Sequence, residues 1–99
     1  MTAGTFLLEA YLPNMCTGGA ASTSARAHAA AEEMAGEGTS IRLLRLFFLP
    51  EDELCFCLYE ARSIDAVAEA GRRAHMRFER IQPVVSLLPI ADSCSSVQG

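Results

Sequence analysis

Apolar and polar residues alternate near the start of the chain, which is the pattern of a β-strand with two different faces. The alternation runs from Phe6 to Leu12. The first face carries Phe6, Leu8, Ala10 and Leu12. The other face carries Leu7, Glu9 and Tyr11, so a carboxylate and a phenol are expected to project to the same side of the strand.

A loop and then a helix are predicted after this strand. Residues 13–22 concentrate Pro, Asn and Gly, which interrupt regular structure. Thr23 or Ser24 is suited to cap the helix that follows, and Gly36 and Gly38 are suited to end it. The side chains at helical spacing are small, which predicts close packing on a sheet. They are Ala27, Ala30, Ala31 and Met34.

Two apolar runs, residues 41–49 and 53–60, flank Pro50, Glu51 and Asp52 and predict a β-hairpin. The register of the hairpin matters, because a shift of one residue turns a whole strand over. We expect a three-residue loop, since it gives one wholly apolar face. That face would hold Leu44, Leu46, Phe48, Leu54, Phe56 and Leu58. The opposite face would hold Leu43, Arg45, Phe47, Cys55, Cys57 and Tyr59.

A second helix and a last strand complete the predicted elements. Ser63 is suited to cap the helix, and Asp65 complements its positive end. The last strand is predicted between Phe78 and Leu88, and Pro83 favours a sheet edge because proline cannot donate a ladder hydrogen bond. The apolar stripe of the helix is predicted to be Ile64, Val67, Ala68 and Gly71, with Arg72 and Arg73 outside it.

The order β-α-β-β-α-β predicts a fold of the α+β class, the ferredoxin-like split βαβ fold. In this fold a four-stranded antiparallel sheet carries two helices on one face. The 99 residues are enough for a single domain, expected over 1–88, and the small polar residues 89–99 are expected to form a flexible tail. A small core and a sheet face that no helix covers predict a homodimer joined through that open face.

Composition and charge narrow the class of partner. With 51% apolar and 20% charged residues the chain is not of the disordered type, and its apolar runs are too short to cross a bilayer. A net charge of −4 argues against nucleic acid or an anionic membrane as a partner. The N-terminus lacks the pattern of a signal peptide, and we expect a cytoplasmic protein. Four arginines alternate with acids near the end of the second helix and are interpreted as a solvated face: Arg72, Arg73, Arg77 and Arg80.

The cysteines and histidines predict no metal site and no cofactor. Cys55 and Cys57 lie two apart on a strand, so their Cα atoms would be about 6.6 Å apart, at the limit for a disulfide. We interpret both as reduced thiols that pack in the core. The remaining cysteines and histidines stand at no metal-ligand spacing: Cys16, Cys94, His28 and His75.

The segment from Pro50 to Ile81, PEDELCFCLYEARSIDAVAEAGRRAHMRFERI, together with LLEAYLP at residues 7–13, resembles a small bacterial α+β family described as nickel-binding-like or of unknown function. The matching features include the Pro-Glu-Asp-Glu turn, the Ser-Ile-Asp-Ala-Val helix start and the Phe-Glu-Arg-Ile entry to the last strand. The resemblance implies a ferredoxin-like fold that dimerises through the open sheet face. It also implies that metal-binding relatives carry histidine at the positions of Tyr11 and Gly71, and this chain lacks both histidines.

Five side chains are predicted to share the open face and to form a ligand-binding site: Glu9, Tyr11, Arg45, Cys57 and Tyr59. A carboxylate, a guanidinium, two phenols and a thiol can hold a polar ligand or move a proton. We expect Glu9 and Arg45 to pair with each other, with a ligand, or with both, because an unpaired charge in a covered face costs several kcal/mol. In the alternative interpretation this ion pair has a structural role only.

These observations favour a small, non-catalytic, ligand-binding or metal-associated dimer. One alternative is a cofactor-independent enzyme of the kind found among small α+β barrel monooxygenases and isomerases, with Glu9 or Tyr11 transferring a proton. Another alternative is a protein-interaction module. No catalytic motif is present, and the sequence leaves open whether the protein is an enzyme.

Overall fold

The computed structural model describes residues 3–12 and 17–85 of the chain. It contains six elements in the predicted order β-α-β-β-α-β. They are β1 (Gly4–Tyr11), α1 (Thr17–Gly36), β2 (Ile41–Leu49), β3 (Leu54–Ala61), α2 (Ile64–Arg73) and β4 (Phe78–Val84). The predicted end of the last strand at 86–88 and the predicted tail at 89–99 lie outside the described residues.

The strands form one antiparallel sheet in the order β2-β3-β1-β4. Both helices pack on the same face of it, which confirms the ferredoxin-like split βαβ fold. β4 lies at an edge, as Pro83 predicts. The core lies between the sheet and the helices, where Leu8, Ala10 and Val67 are completely buried. Neither described helix is long and apolar enough to cross a membrane.

The predicted register of the β2–β3 hairpin is wrong. Leu49 pairs with Leu54, so the loop has four residues, and Glu53 in it has a positive φ of 57°. The open face therefore receives Arg45, Phe47, Leu49, Leu54, Phe56 and Leu58. The helix-covered face receives Ile41, Leu43, Leu46, Phe48, Cys55, Cys57 and Tyr59.

A β-bulge near Leu44 explains how this register satisfies the core. The pairing shifts between Leu43 and Arg45, so both ends of β2 present apolar side chains to the helices. Without the shift Arg42 would point beneath the helices, whereas in the structure it is exposed and its Nη2 lies 3.1 Å from Glu60 Oε1. The nearly continuous apolar run of β2 carries no alternation from which the bulge could be predicted.

Helix α1 begins at Thr17, within the segment where a loop was predicted. Thr23 is therefore not a cap: it is completely buried inside the helix, and its Oγ1 accepts a hydrogen bond from Arg26 Nη2 at 3.3 Å. The predicted apolar stripe is confirmed, since its four side chains are all buried: Ala27, Ala30, Ala31 and Met34.

Helix α2 begins as predicted, because Ser63 Oγ accepts a hydrogen bond from the Ala66 backbone N–H at 3.2 Å. Its buried stripe differs from the prediction at Ile64 and Ala68, which are exposed and half-buried. The buried residues are Ala66, Val67, Ala70 and Gly71. The helix is thus rotated from its predicted orientation, and its smallest side chains face the sheet.

Candidate functional site

The structure separates the five predicted site residues onto two faces of the sheet. Glu9, Tyr11 and Arg45 lie on the open face, and Cys57 and Tyr59 lie on the helix-covered face, where both are completely buried. The four-residue hairpin loop is the cause, since it reverses β3 relative to the expected register. The five residues therefore do not surround one pocket, and that part of the prediction is wrong.

Four cross-strand rows make up the open face. The first row runs from β2 through β3 to β1, and the other three continue to β4. The rows are Leu49–Leu54–Tyr11, Phe47–Phe56–Glu9–Arg80, Arg45–Leu58–Leu7–Gln82 and Arg42–Glu60–Thr5–Val84. The inner strand β3 contributes the half-buried Phe56 and Leu58, and Phe47 on the edge strand β2 is exposed over 47% of its surface. Charged and amide side chains lie mainly on the edge strands β2 and β4, and Glu9 lies on the inner strand β1. A surface on which apolar side chains are bordered by polar ones has the anatomy of a protein–protein interface.

Glu9 and Arg45 are not neighbours. β3 lies between their strands, and they belong to different rows, so their Cα atoms are about 12 Å apart by strand geometry. Ion pairs within the described residues include neither of them. The expected Glu9–Arg45 pair is therefore absent from these residues. The residue directly across from Glu9 is Arg80 on β4.

Arg80 is a member of the open face that sequence reasoning missed. Simple alternation from Phe78 would place Arg80 beneath the helices, but the β1–β4 pairing shifts between Glu9 and Ala10. Phe78 and Ile81 both pack against the core although they are three residues apart. A regular strand puts residues three apart on opposite faces. The apolar residues at positions 78 and 81 are therefore the feature of the sequence that indicates the shift in the β1–β4 pairing.

Tyr11 acts as a hydrogen-bond donor on this face. Its hydroxyl donates to Glu53 Oε1 at 3.1 Å, across the turn that joins β2 to β3. This hydrogen bond and the charge of Glu53 raise the pKa of Tyr11 above its usual value. The phenol therefore keeps its proton near neutral pH and cannot serve as a general base there.

Arg45 lies on the edge strand, where it borders a surface depression of about 230 Å³ together with Ser24 and His28. That depression opens at the α1–β2 edge. Glu9 lies two strands away from it. A polar ligand near Arg45 would thus meet groups of α1, and one near Glu9 would meet Arg80.

The two positions at which the resemblance expects histidine also lie on different faces. Tyr11 is on the open face, whereas Gly71 is buried on α2 beneath the sheet. A Cβ atom at Gly71 would lie 2.8 Å from the Phe78 ring and 2.9 Å from Leu8 Cδ1, so no imidazole fits there without repacking. His28 and His75 are exposed on separate elements. The described residues bring together no group of three or more His, Cys, Asp and Glu side chains suited to a metal ion.

Comparison with known families identifies the chain. The model of the family described as "Nickel responsive protein SCO4226-like" matches residues 6–84. The chain belongs to this SCO4226-like family. A solved structure, SCO4226 from Streptomyces coelicolor A3(2), superimposes with a TM-score of 0.72 at 15% sequence identity, covering 85% of this chain and 99% of that one. At that identity the likeness concerns the fold. No curated protein sequence matches the chain.

Proposed function

We propose that this SCO4226-like protein is a small cytoplasmic, non-catalytic binding protein that works as a homodimer, joined through the open face of its sheet. The observation that carries the proposal is the uncovered apolar surface of that face. Phe47 and Leu49 on the edge strand β2 and Tyr11 at the end of β1 are exposed in the single chain. Contiguous apolar surface of this kind favours a partner, because its burial removes apolar area from water.

The size and charge of the open face favour a second copy as that partner. Strands of eight residues are about 27 Å long, and four of them span about 19 Å, so the face offers about 500 Å² in projection. Side-chain relief increases this area toward the roughly 800 Å² per partner of a stable interface. Both signs of charge border the face, which suits a self-complementary contact. The acidic residues are Glu9 and Glu60, and the basic residues are Arg42, Arg45 and Arg80.

A small polar ligand fits the charged positions of this face better than its apolar ones. Glu9 and Arg80 face each other across β1 and β4, and Arg45 provides a second guanidinium at the opposite edge. These groups can hold a ligand that carries carboxylate or amide functions. Cys57 and Tyr59 are not part of this site, because they lie beneath the sheet. Binding without catalysis is favoured because Tyr11 holds its proton, which its hydroxyl donates to Glu53 in a hydrogen bond.

Nickel is left out of this proposal although the family is described as nickel responsive. The chain has no histidine at either position that the resemblance implies, and Gly71 has no room for one. Nickel favours imidazole ligands at a preformed site. The donor set of the described residues does not fit this metal, and we expect nickel or zinc to bind no tighter than about micromolar.

The homodimer is tested by light scattering at micromolar concentration with two matched variants. Phe47→Arg puts a charge among the exposed apolar side chains of the open face and should yield a monomer, because burying an unpaired guanidinium against apolar side chains costs several kcal/mol. Ile64→Arg is the control, since Ile64 is similarly exposed, at 42%, but lies on α2 away from the open face. The control should remain a dimer. A wild-type protein that is monomeric at this concentration, or a Phe47→Arg protein that is still dimeric, would contradict the proposal.

A further inference from the structure

Three sulfur atoms meet beneath the sheet, on the face opposite the proposed interface. Cys55 and Cys57 project from β3 toward the helices, and both are completely buried. Met76 comes from the connection between α2 and β4 and is 7% exposed. Its Sδ lies 3.9 Å from Cys57 Sγ. The sequence alone does not predict this group, because Met76 is 19 residues from Cys57.

We propose that Cys55, Cys57 and Met76 form a binding site for a single Cu(I) ion. Two thiols and a thioether are soft ligands, and ligand sets of this kind select Cu(I) over magnesium, calcium or manganese. Neither an imidazole nor a carboxylate belongs to the group. Because all three ligands are sulfur atoms, this site differs in its chemistry from the polar groups of the open face and from a nickel site built on histidine.

The spacing of the sulfurs agrees with shared coordination. A metal bound about 2.3 Å from each sulfur holds neighbouring sulfurs about 3.8 Å apart in tetrahedral geometry and about 4.0 Å apart in trigonal geometry. The observed Cys57–Met76 separation of 3.9 Å lies between these values. Cys55 and Cys57 are two residues apart on β3 and both are buried, so their thiols project to the same side of the strand. The three sulfur-bearing side chains are therefore presented to one region of the core.

The protons and charges of the binding step balance. Cys55 and Cys57 each release one proton to solvent as the Cu–S bonds form, Met76 donates a lone pair, and copper stays in the +1 state. Without the metal the Cys57 thiol is a buried packing group that lies against Met76. Two thiolates and Cu(I) carry one net negative charge, and metal binding supplies the energy that removes the protons.

Tyr59 supports the site from the next inward position of β3. Its hydroxyl is buried and has no hydrogen-bond partner among the described residues. An orphaned hydroxyl in the core costs about 1–3 kcal/mol. Tyr59 and Cys57 are two residues apart on the same face of β3, so a metal-bound Cys57 thiolate offers this hydroxyl an acceptor, and donors of this kind tune metal sites.

The third ligand lies close to solvent. Met76 is flanked by His75 and Arg77, which are both exposed. His75 has a positive φ of 59°, and the Met76 backbone N–H bonds to the Gly71 carbonyl at 3.0 Å. The connection is also fixed to β1, since the Arg77 carbonyl accepts a hydrogen bond from the Tyr11 backbone N–H at 3.0 Å. Met76 is the most exposed of the three sulfur-bearing residues.

The experiment is an anaerobic titration of the reduced full-length chain with Cu(I), in competition with a chromogenic Cu(I) chelator. Cys16→Ser and Cys94→Ser form the background, so that Cys55 and Cys57 are the only thiols left among the four cysteines. The absence of tryptophan keeps the near-ultraviolet region clear for the thiolate-to-copper charge-transfer band. We expect one Cu(I) per chain, and X-ray absorption at the copper edge should find three sulfur neighbours.

Two conservative variants decide whether the assigned ligands are correct. Met76→Leu keeps both thiols and nearly the same volume, and should weaken Cu(I) binding at least about tenfold, the effect seen even for outer partners of metal sites. Met34→Leu is the matched control, because Met34 is buried to the same degree on α1, and its Cu(I) affinity should stay within about twofold. The proposal is overturned if the background protein binds no Cu(I), if Met76→Leu binds as tightly as its parent, or if Met34→Leu weakens binding equally.

Discussion

At the scale of single residues, Gly71 shows how closely α2 approaches the sheet. A Cβ at this position would lie within 3 Å of both Phe78 and Leu8, whose side chains are enclosed by the core. A contact that short forces a side chain or the backbone to move. The absence of a side chain at Gly71 is therefore a packing requirement.

We predict that Gly71→Ala destabilises the protein by about 1–3 kcal/mol, although alanine has the higher helix propensity. Gly36→Ala is the matched control, because nothing lies within 4 Å of a Cβ at the last residue of α1. The control should be neutral or stabilising by up to about 1 kcal/mol. Urea unfolding at one fixed protein concentration measures both effects. Equal changes in the two variants would mean that the approach of α2 is looser than described.

At the scale of elements, one arginine joins the two helices. Arg73 on α2 contacts Glu33 of α1 and Glu37, which directly follows α1, at 3.0 Å, and Glu69 of its own helix at 2.9 Å. These contacts lower the pKa of Glu37 and of Glu69, in each case chiefly through the hydrogen bond from Arg73. Arg26 adds a second link, since its Nε donates to the Ala74 carbonyl at 2.9 Å, where α2 ends.

The lowered pKa values make this helix contact dependent on pH. A carboxylate whose pKa is lower in the folded chain contributes stability above its unfolded pKa, near 4.5, and loses it as the pH falls through the folded pKa. We therefore predict that Arg73→Met is destabilising at pH 7 and that the difference from wild type shrinks below about pH 4.5. Urea midpoints measured from pH 7 to pH 3 check this.

The control for that measurement is Arg72→Met. Arg72 occupies the same last turn of α2 but contacts Glu69 alone among the described residues. Both variants lose one positive charge at the negative end of the helix, so that shared effect cancels. The pH-dependent difference should be smaller for Arg72→Met. If the two profiles coincide, the contact between α1 and α2 contributes nothing and only the charge of the helix end matters.

At the scale of the whole molecule, the chain is a thin slab of 38 × 35 × 20 Å. One layer of helices covers one face of the sheet, and the other face keeps aromatic and leucine side chains. A chain of this size has a small core, so a second copy on the open face would add substantially to the buried apolar area. In the proposed dimer, association of the two chains therefore adds to the free energy of unfolding.

We predict that the urea midpoint of the wild-type protein rises with protein concentration, because unfolding of a dimer releases two chains. The Phe47→Arg protein should show a lower midpoint that does not depend on concentration. Ile64→Arg should behave like the wild type. A wild-type midpoint that stays constant over a hundredfold range of concentration would argue against a dimer that contributes to stability.

The parts that the sequence by itself determined depend on local chemistry. Ser63 caps α2 because its hydroxyl meets an N–H three residues on, and Pro83 lies in an edge strand because it has no N–H to donate. The element order follows from apolar periodicity within short segments.

Only the tertiary structure decided which side chains lie on each face of the sheet. The bulge near Leu44 and the four-residue loop determine which side chains of β3 point toward the helices. Strict alternation favours the three-residue loop because it takes no account of the bulge, whereas burial against the helices selects the four-residue loop. For the same reason Arg80 came to face Glu9, and Met76 came to lie beside Cys57, through contacts between distant segments.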